Sequence, residues 1–381
     1  MARAEAARQR LAGWLEAHPE LAAVVLTSPA AVAWATGAVA PPVDRTAGVD
    51  LLWVVATRSS AALVTTEVEA DRVAEEYQPR QHGFADLTAV PWYDPDGFTR
   101  AAQDIAGAPA GQLAADGHPA FGHDAADDLV ALRLALSPAE QHDLRALGAD
   151  AAGALQQALT GWRPGQRDLD VQAQVAAVLE ARGADTPVLI VGGDDRVRRF
   201  RHPMAAGVPV RTLVMAVVVA RRGGLHAAAT RFASAGRVDP ELAALRARVL
   251  RIERDTLAAS APPNRYGAVL TALASGYARE GAPGGWAGHY QGGPIGYAQR
   301  EFEIAPVQRD SRWYTTPVEY GHAVAWNPSL PGGAKAEDTY LVTADGLERV
   351  TTAPDGPGPG WPSENEDDDL IPPRPAVLEV A

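Results

Sequence analysis

The 381-residue chain contains no cysteine. That excludes disulfides, thiolate metal sites and a cysteine nucleophile, and it agrees with a reducing compartment. Positive charge is scarce too: 34 Lys plus Arg stand against 47 Asp plus Glu, for a net charge of −13. A partner held through phosphate contacts needs a basic face, so nucleic acid is not expected as a partner. No apolar run approaches the roughly 18 residues needed to span a bilayer. Residues 1–9 are polar and charged, without the apolar core of a secretion signal. A cytoplasmic protein with no membrane association is the expectation. There is no phosphate-cradling P-loop and no Gly-x-Ser-x-Gly nucleophile elbow. Gly192-Gly193 and Gly223-Gly224 read as hairpin turns and make no dinucleotide fingerprint. What is present is ordinary globular material, 47% hydrophobic and 21% charged, enough for two or three domains with a sizeable core.

Read in order, the chain opens with a helix over 2–17, its apolar face made by Leu11, Trp14 and Leu15. A short strand, 21–26, precedes Ser28-Pro29, a capping serine and a first-turn proline that start a helix ending at Gly37. Strands are expected at 49–56 and 60–65 and a helix at 67–76. This small α/β domain ends near residue 130. Ser137-Pro138-Ala139-Glu140 carries capping-box spacing and opens a long helix to Gly161. A helix over 168–182, a strand at 188–191, and strands 211–220 and 225–233 joined by Arg-Arg-Gly-Gly follow. Helices over 240–257 and 265–280 come next, then strands at 301–305, 321–327 and 337–343. Two blocks of paired helices followed by strands indicate an internal duplication. The domains expected are 1–130, 131–352 and a tail over 353–381. In the tail, Glu364 to Asp369 is acidic and reads as solvated, whereas Arg374 to Leu378 is apolar enough to dock.

The stretch Gly288-His-Tyr-Gln-Gly-Gly-Pro-Ile-Gly-Tyr-Ala-Gln-Arg-Glu301 forgoes regular structure for glycines, which allow close backbone approach to a ligand. It also offers His289, Arg300 and Glu301. Such a run is either a site or a plain Gly-Pro loop.

Six segments, in order, resemble the creatinase and aminopeptidase P family, whose pita-bread fold is shared with methionine aminopeptidases. They are Val24 to Gly37, Arg163 to Val171, Arg201-His202-Pro203, Thr230-Arg231, His289 to Glu301, and Ala336 to Val342. The resemblance implies an α/β (α+β) chain: a creatinase-type N-terminal domain, then a pita-bread domain built of duplicated helix–strand units. It also implies that the metal ligands are missing. The family's two strand aspartates fall on Val217 and Ala228, its ligand histidine on Gly293 and its first glutamate on Asn327, which leaves Glu337. One carboxylate and an asparagine cannot supply a catalytic Zn²⁺ or Mn²⁺ centre, so no metal and no other cofactor are expected.

By the same resemblance, His202 matches the histidine that creatinase uses as general acid/base, a role that suits an imidazole at neutral pH. Arg45 matches the arginine that reaches the partner's site in the creatinase dimer, which implies a homodimer. Glu337 matches one of the glutamates holding the substrate guanidinium. The other falls on Thr230, which argues against creatine. Arg300 replaces the family's second histidine and points to an anionic substrate group. The expected catalytic residues are therefore His202, Glu337 and Glu301, with Arg45, His289, Arg300, Asn327 and Arg231 binding substrate. Glu337 beside Asp338 also reads as an acid/base pair with split pKa values. Arg231 reads alternatively as an ion-pair partner of Glu337 or Glu301 inside the sheet. The implied function is metal-independent hydrolysis of a C–N bond in a small carboxylate-bearing molecule. The alternatives are an inactive relative that binds proteins, or a lyase or cyclase using the same groups.

Overall fold

In the computed structural model, residues 2–38, 43–353, 363–364 and 372–380 are described. The chain divides into two compact units, residues 1–140 and 141–381. Among the described residues no helix is long and apolar enough to cross a membrane.

The first unit runs α1 (Ala2–Ala17), β1 (Ala23–Leu26), α2 (Pro29–Thr36), β2 (Leu52–Thr57), β3 (Ala61–Thr66), α3 (Glu67–Arg72), β4 (Leu87–Val90), α4 (Gly97–Ala106), β5 (Leu113–Ala115), β6 (His123–Asp124) and α5 (Ala126–Leu134). Its six-stranded sheet has the order β4-β3-β2-β1-β5-β6. The helix starts and stops follow their local chemistry. The Ser28 hydroxyl accepts from the Ala31 N–H, Pro29 occupies the first turn, and Gly37 ends α2 at φ 69°. The helix expected over 67–76 is α-helical only to Arg72 and widens into a π-type turn over Val73–Tyr77. Val25, Val55, Val64 and Leu113 pack with Ala101 and Ala102 of α4 to form this unit's core.

The boundary falls in the first turn of α6 (Pro138–Gly161), and the second unit continues with α7 (Asp168–Glu180), then β7 (Asp185–Gly193), α8 (Asp194–Arg199), β8 (Leu213–Arg222) and β9 (Leu225–Ala235). A second helix pair, α9 (Pro240–Ala259) and α10 (Tyr266–Arg279), leads to β10 (Gly292–Pro294), α11 (Arg312–Thr315), β11 (Ala323–Trp326), β12 (Ser329–Leu330), β13 (Ala334–Lys335), β14 (Asp338–Thr343) and β15 (Gly346–Arg349). The tail adds β16 (Ser363–Glu364), β17 (Arg374–Pro375) and β18 (Leu378–Val380). At the start of α6 the capping box closes: the Ser137 N–H donates to Glu140 Oε2 at 2.6 Å.

Two four-stranded sheets result, β18-β9-β8-β7 and β10-β11-β14-β15. Each follows one helix pair, which is the duplicated helix–strand arrangement. The sheets meet where β9 faces β14: the Thr230 N–H donates to the Glu337 carbonyl at 2.9 Å, and the Ala228 N–H donates to Thr339 Oγ1 at 2.8 Å. The strand expected over 301–305 does not form. Its backbone is engaged by a side chain instead: the Tyr290 hydroxyl donates to the Phe302 carbonyl and accepts from the Ile304 N–H. The strand that completes the sheet is β10, where Gly292 at φ 84° lies so close to β11 that an added Cβ would sit 2.1 Å from the Ala325 carbonyl oxygen.

The C-terminal segment docks as its composition implies. β18 lies parallel to β9, and Arg374 is buried with its guanidinium 3.0 Å from Glu253. The acidic run after Glu364 lies outside the described residues.

Candidate active site

Glu337 is the centre of the polar cluster. It lies in the extended segment between β13 and β14 and is 2% exposed. Four side chains surround its carboxylate. Thr230 Oγ1 donates to Oε2 at 2.8 Å, and Lys335 Nζ lies 3.0 Å from that same oxygen. Arg300 lies 3.5 Å from Oε1, and Asn327 Nδ2 donates to Oε1 at 3.4 Å. Burial pushes this carboxyl's pKa up. The Lys335 and Arg300 cations, with hydrogen bonds from Lys335 and Thr230, reverse that and hold it below the usual range. Asn327 Oδ1 is buried without a hydrogen-bond partner.

The hairpin β8–β9 supplies the apolar floor. Its register places Val217 opposite Thr230 and Val219 opposite Ala228. Val217, Ala228 and Thr230 therefore share one face of the sheet, the face that carries Glu337. Gly223 and Gly224, at φ 56° and 77°, close the hairpin with the backbone twist that such a two-residue turn requires.

His202 follows α8 on an exposed loop. Asp168, at the start of α7, holds that loop. Its carboxylate accepts from the N–H groups of Ala206 (2.9 Å) and Gly207 (2.7 Å), and Arg196 pairs with it at 3.0 Å. The His202 ring stands edge-on to His289, centroids 6.5 Å apart. Its pKa is lowered, first by desolvation and then by Lys335 and Arg201, with Glu337 pulling the other way. His289 is more constrained. Its Nδ1 pairs with the Tyr290 carbonyl at 2.6 Å, which leaves Nε2 to accept from the Ser329 hydroxyl at 2.7 Å. Burial brings its pKa down to about 4, so the ring is neutral at pH 7.

A family model described as metallopeptidase family M24 matches residues 142–344, more than half of the chain. The chain belongs to metallopeptidase family M24. Membership carries the coarse class of hydrolase. No protein of curated function matches the sequence. Among solved structures, the M24 chain is similar to an Xaa-Pro dipeptidase from Bacillus anthracis (TM-score 0.72, 18% identity, 92% of this chain and 98% of that one). It is similar to the dipeptidase PepE from Mycobacterium ulcerans (0.73, 21%, 93% and 96%). The N-terminal domain of the FACT complex subunit SPT16 from Cicer arietinum also shares the fold (0.64, 14%, 92% and 96%). At these identities the likeness is one of fold alone.

The M24 family name implies a bound metal, and the residues present do not fit one. Around Glu337 the donor set is one carboxylate, one amide and one hydroxyl, and that carboxylate already carries an ammonium at 3.0 Å. Among the described residues no group of three His, Asp or Glu side chains is placed to hold an ion. At Gly293 an added Cβ would meet nothing nearer than 3.8 Å.

The expected site residues fall into three groups. Glu337, Arg300 and Asn327 converge, and His202 with His289 stands beside the same ammonium. Glu301 is turned into its own loop, where Oε1 accepts from the N–H groups of Tyr297 (2.7 Å) and Ala298 (3.2 Å). Arg231 binds Asp338 at 2.7 Å and the Thr351 carbonyl at 3.0 Å. Glu337 and Asp338 are therefore not an acid/base pair: successive residues of an extended chain point to opposite faces, and each carboxylate has its own partners. Arg45 lies exposed on a loop of the first unit.

Sequence reasoning missed Lys335, Ser329 and Arg201. Two signals pointed to Lys335. It is the single lysine in 381 residues, the other 33 basic residues being arginines. It also precedes Glu337 by two positions in an extended segment, a spacing that puts both side chains on one face.

Proposed function

We propose that the protein is a metal-independent hydrolase that cleaves a C–N bond in a small carboxylate-bearing molecule. The observation that carries this reading is the Lys335 ammonium and Arg300 guanidinium on the Glu337 carboxylate. Two fixed cations stand where the fold family's name implies metal. They supply positive charge without metal ligands, and one carboxylate does not neutralise both.

In this reading neutral His202 takes the proton of a water as its oxygen adds to the carbonyl carbon. His202 then returns that proton to the departing nitrogen. Glu337 and Asn327 Oδ1 accept from the substrate N–H, which satisfies a buried acceptor that has no hydrogen-bond partner among the described residues. Arg300 retains donors for a substrate carboxylate, joined by Arg45 from a second copy in a homodimer. His289, already bonded through both ring nitrogens, orients Ser329. Elimination or cyclisation would employ the same acid/base groups.

A second reading is supported by the likeness to an SPT16 domain, a subunit of a complex: the scaffold serves as a protein-binding module. The two separate in one experiment. A metabolite mixture is incubated with wild type and with His202→Ala and compared by mass spectrometry. Consumption of a carboxylate-bearing amide or amine by wild type only supports the hydrolase. No consumption by either, with a stoichiometric protein partner recovered by the wild type, supports the module.

A further inference from the structure

Next to Glu337 is a cavity of about 220 Å³ whose walls include Phe200, Arg201, Met215, Ser329, Gly333 and Lys335. Its charge is one-sided. Arg198 and Arg199 also border it, and no acidic residue does. Arg198 is paired with Asp239. Lys335 shares Glu337 with Arg300. Among the described residues Arg201 bonds only to Ser329, through its carbonyl at 3.0 Å and through its hydroxyl. Among the described residues neither Arg201 nor Arg199 has a carboxylate partner. A half-buried guanidinium with no carboxylate partner among the described residues and a nine-tenths buried ammonium that shares its carboxylate with Arg300 thus border one small space. Unbalanced buried charge is costly, and an anionic ligand removes the imbalance.

The cavity walls add to the case. Gly332 and Gly333 both have φ 103°, and a Cβ on Gly333 would meet the Val197 side chain and carbonyl at 3.2 Å. Side chains are kept out of that wall. Ser329 stands between Arg201 and His289, and its hydroxyl is already committed to the neutral Nε2. The open donors are those of the two cations. The volume is below that of a drug-sized pocket, so the occupant is a single small group.

We propose that this cavity is an anion subsite in which Arg201 and Lys335 clamp a carboxylate of a small dicarboxylic ligand. It is separate from the carboxylate contact at Arg300, and the two are linked through the opposite oxygens of Glu337. The inference rests on the proposed function only in treating that ligand as the substrate, because binding is measured without turnover.

The single lysine provides the probe. Reductive ¹³C-methylation gives one side-chain amine signal, from Lys335, apart from the N-terminus. Succinate is titrated against propionate and inorganic phosphate, followed by NMR and by calorimetry. The expected result is a saturable shift of the Lys335 signal with succinate, at a Kd at least about tenfold below that for propionate. Arg201→Gln weakens succinate binding by at least about tenfold. Arg312→Gln, on the short helix α11, leaves it unchanged, and melting curves establish that both variants are folded. Calorimetry on unmethylated Lys335→Met gives the same loss by a second route. Three results overturn the inference: no saturable succinate binding, binding that persists in folded Arg201→Gln, or a preference for phosphate. Any of these can occur in an active hydrolase, and succinate can bind where no turnover is found, so the two readings fail separately.

Discussion

Glu337→Gln tests the cluster with least change of shape. Glutamine keeps the volume and can still bond Thr230 and Asn327. It removes the only carboxylate that, among the described residues, lies within ion-pair distance of Lys335 and Arg300, whose side chains are 9% and 13% exposed. Taking one partner from a buried ion pair costs about 3–5 kcal/mol, because the other charge stays buried. Here two cations are stranded, but both keep some contact with solvent, so the lower end applies, about 3 kcal/mol. For a unit of about 240 residues this is a fall in Tm of about 6–12 °C.

The sign with pH follows from the direction of the shift. The folded carboxyl titrates below its unfolded value, so its contribution is present above about pH 4.3 and is lost as pH falls through the lower folded value. Calorimetric melts at pH 7 should show the full gap between wild type and variant, and the gap should close below about pH 4. Glu337→Gln with Lys335→Met should recover most of the loss, since the pair is then replaced by neutral groups. A Glu337→Gln melt within about 2 °C of wild type at pH 7, a cost under 1 kcal/mol, refutes the reasoning.

Three further outcomes follow from other parts of the molecule. Turnover of the substrate found by metabolite screening should fall on the acid side as His202 gains a proton, at a pH lower than an ordinary imidazole would give because desolvation lowers its pKa, and His202→Gln should lose at least about a hundredfold in kcat. Arg374→Ala leaves the 1%-exposed Glu253 without its guanidinium, and denaturant unfolding should register a loss of about 3–5 kcal/mol at pH 8. Burial already holds the Glu253 carboxyl up at about 7 against the pull of Arg374, so that loss should shrink as the pH falls below 7 and the acid is neutralised. Gly148→Ala in α6 places a Cβ 2.5 Å from the backbone oxygen of Val350, and urea unfolding should show a cost of about 1–3 kcal/mol.

The fold was legible where local chemistry and hydrophobic period agree. Ser28 with Pro29, Ser137 with Glu140, and Gly223-Gly224 each dictate a boundary, and each occurs, whereas Gly192-Gly193, read as a hairpin turn, continues β7 in register with β8. The failed strand over 301–305 shows the limit. Its alternation of apolar and acidic residues reads as a strand, but the Tyr290 hydroxyl takes the backbone groups that pairing would need, and that contact is set by tertiary structure. At the site, the positions of Gly293, Asn327 and Glu337 were readable from the motifs. The pair of cations on Glu337 was half readable. Arg300 lies inside a motif, whereas Lys335 follows Gly332-Gly333 and looks like one end of a loop. Glu301 was misplaced because a carboxylate three or four residues from a turn can fold back on its own N–H groups, and a linear pattern does not register this.

The central claim is that side-chain cations have taken the place of metal. The most direct measurement is elemental analysis of the purified protein after incubation with excess Zn²⁺ and Mn²⁺ and removal of unbound ions. The account predicts metal well below one ion per chain, with Tm unchanged by either ion. One or two tightly held ions per chain would contradict it.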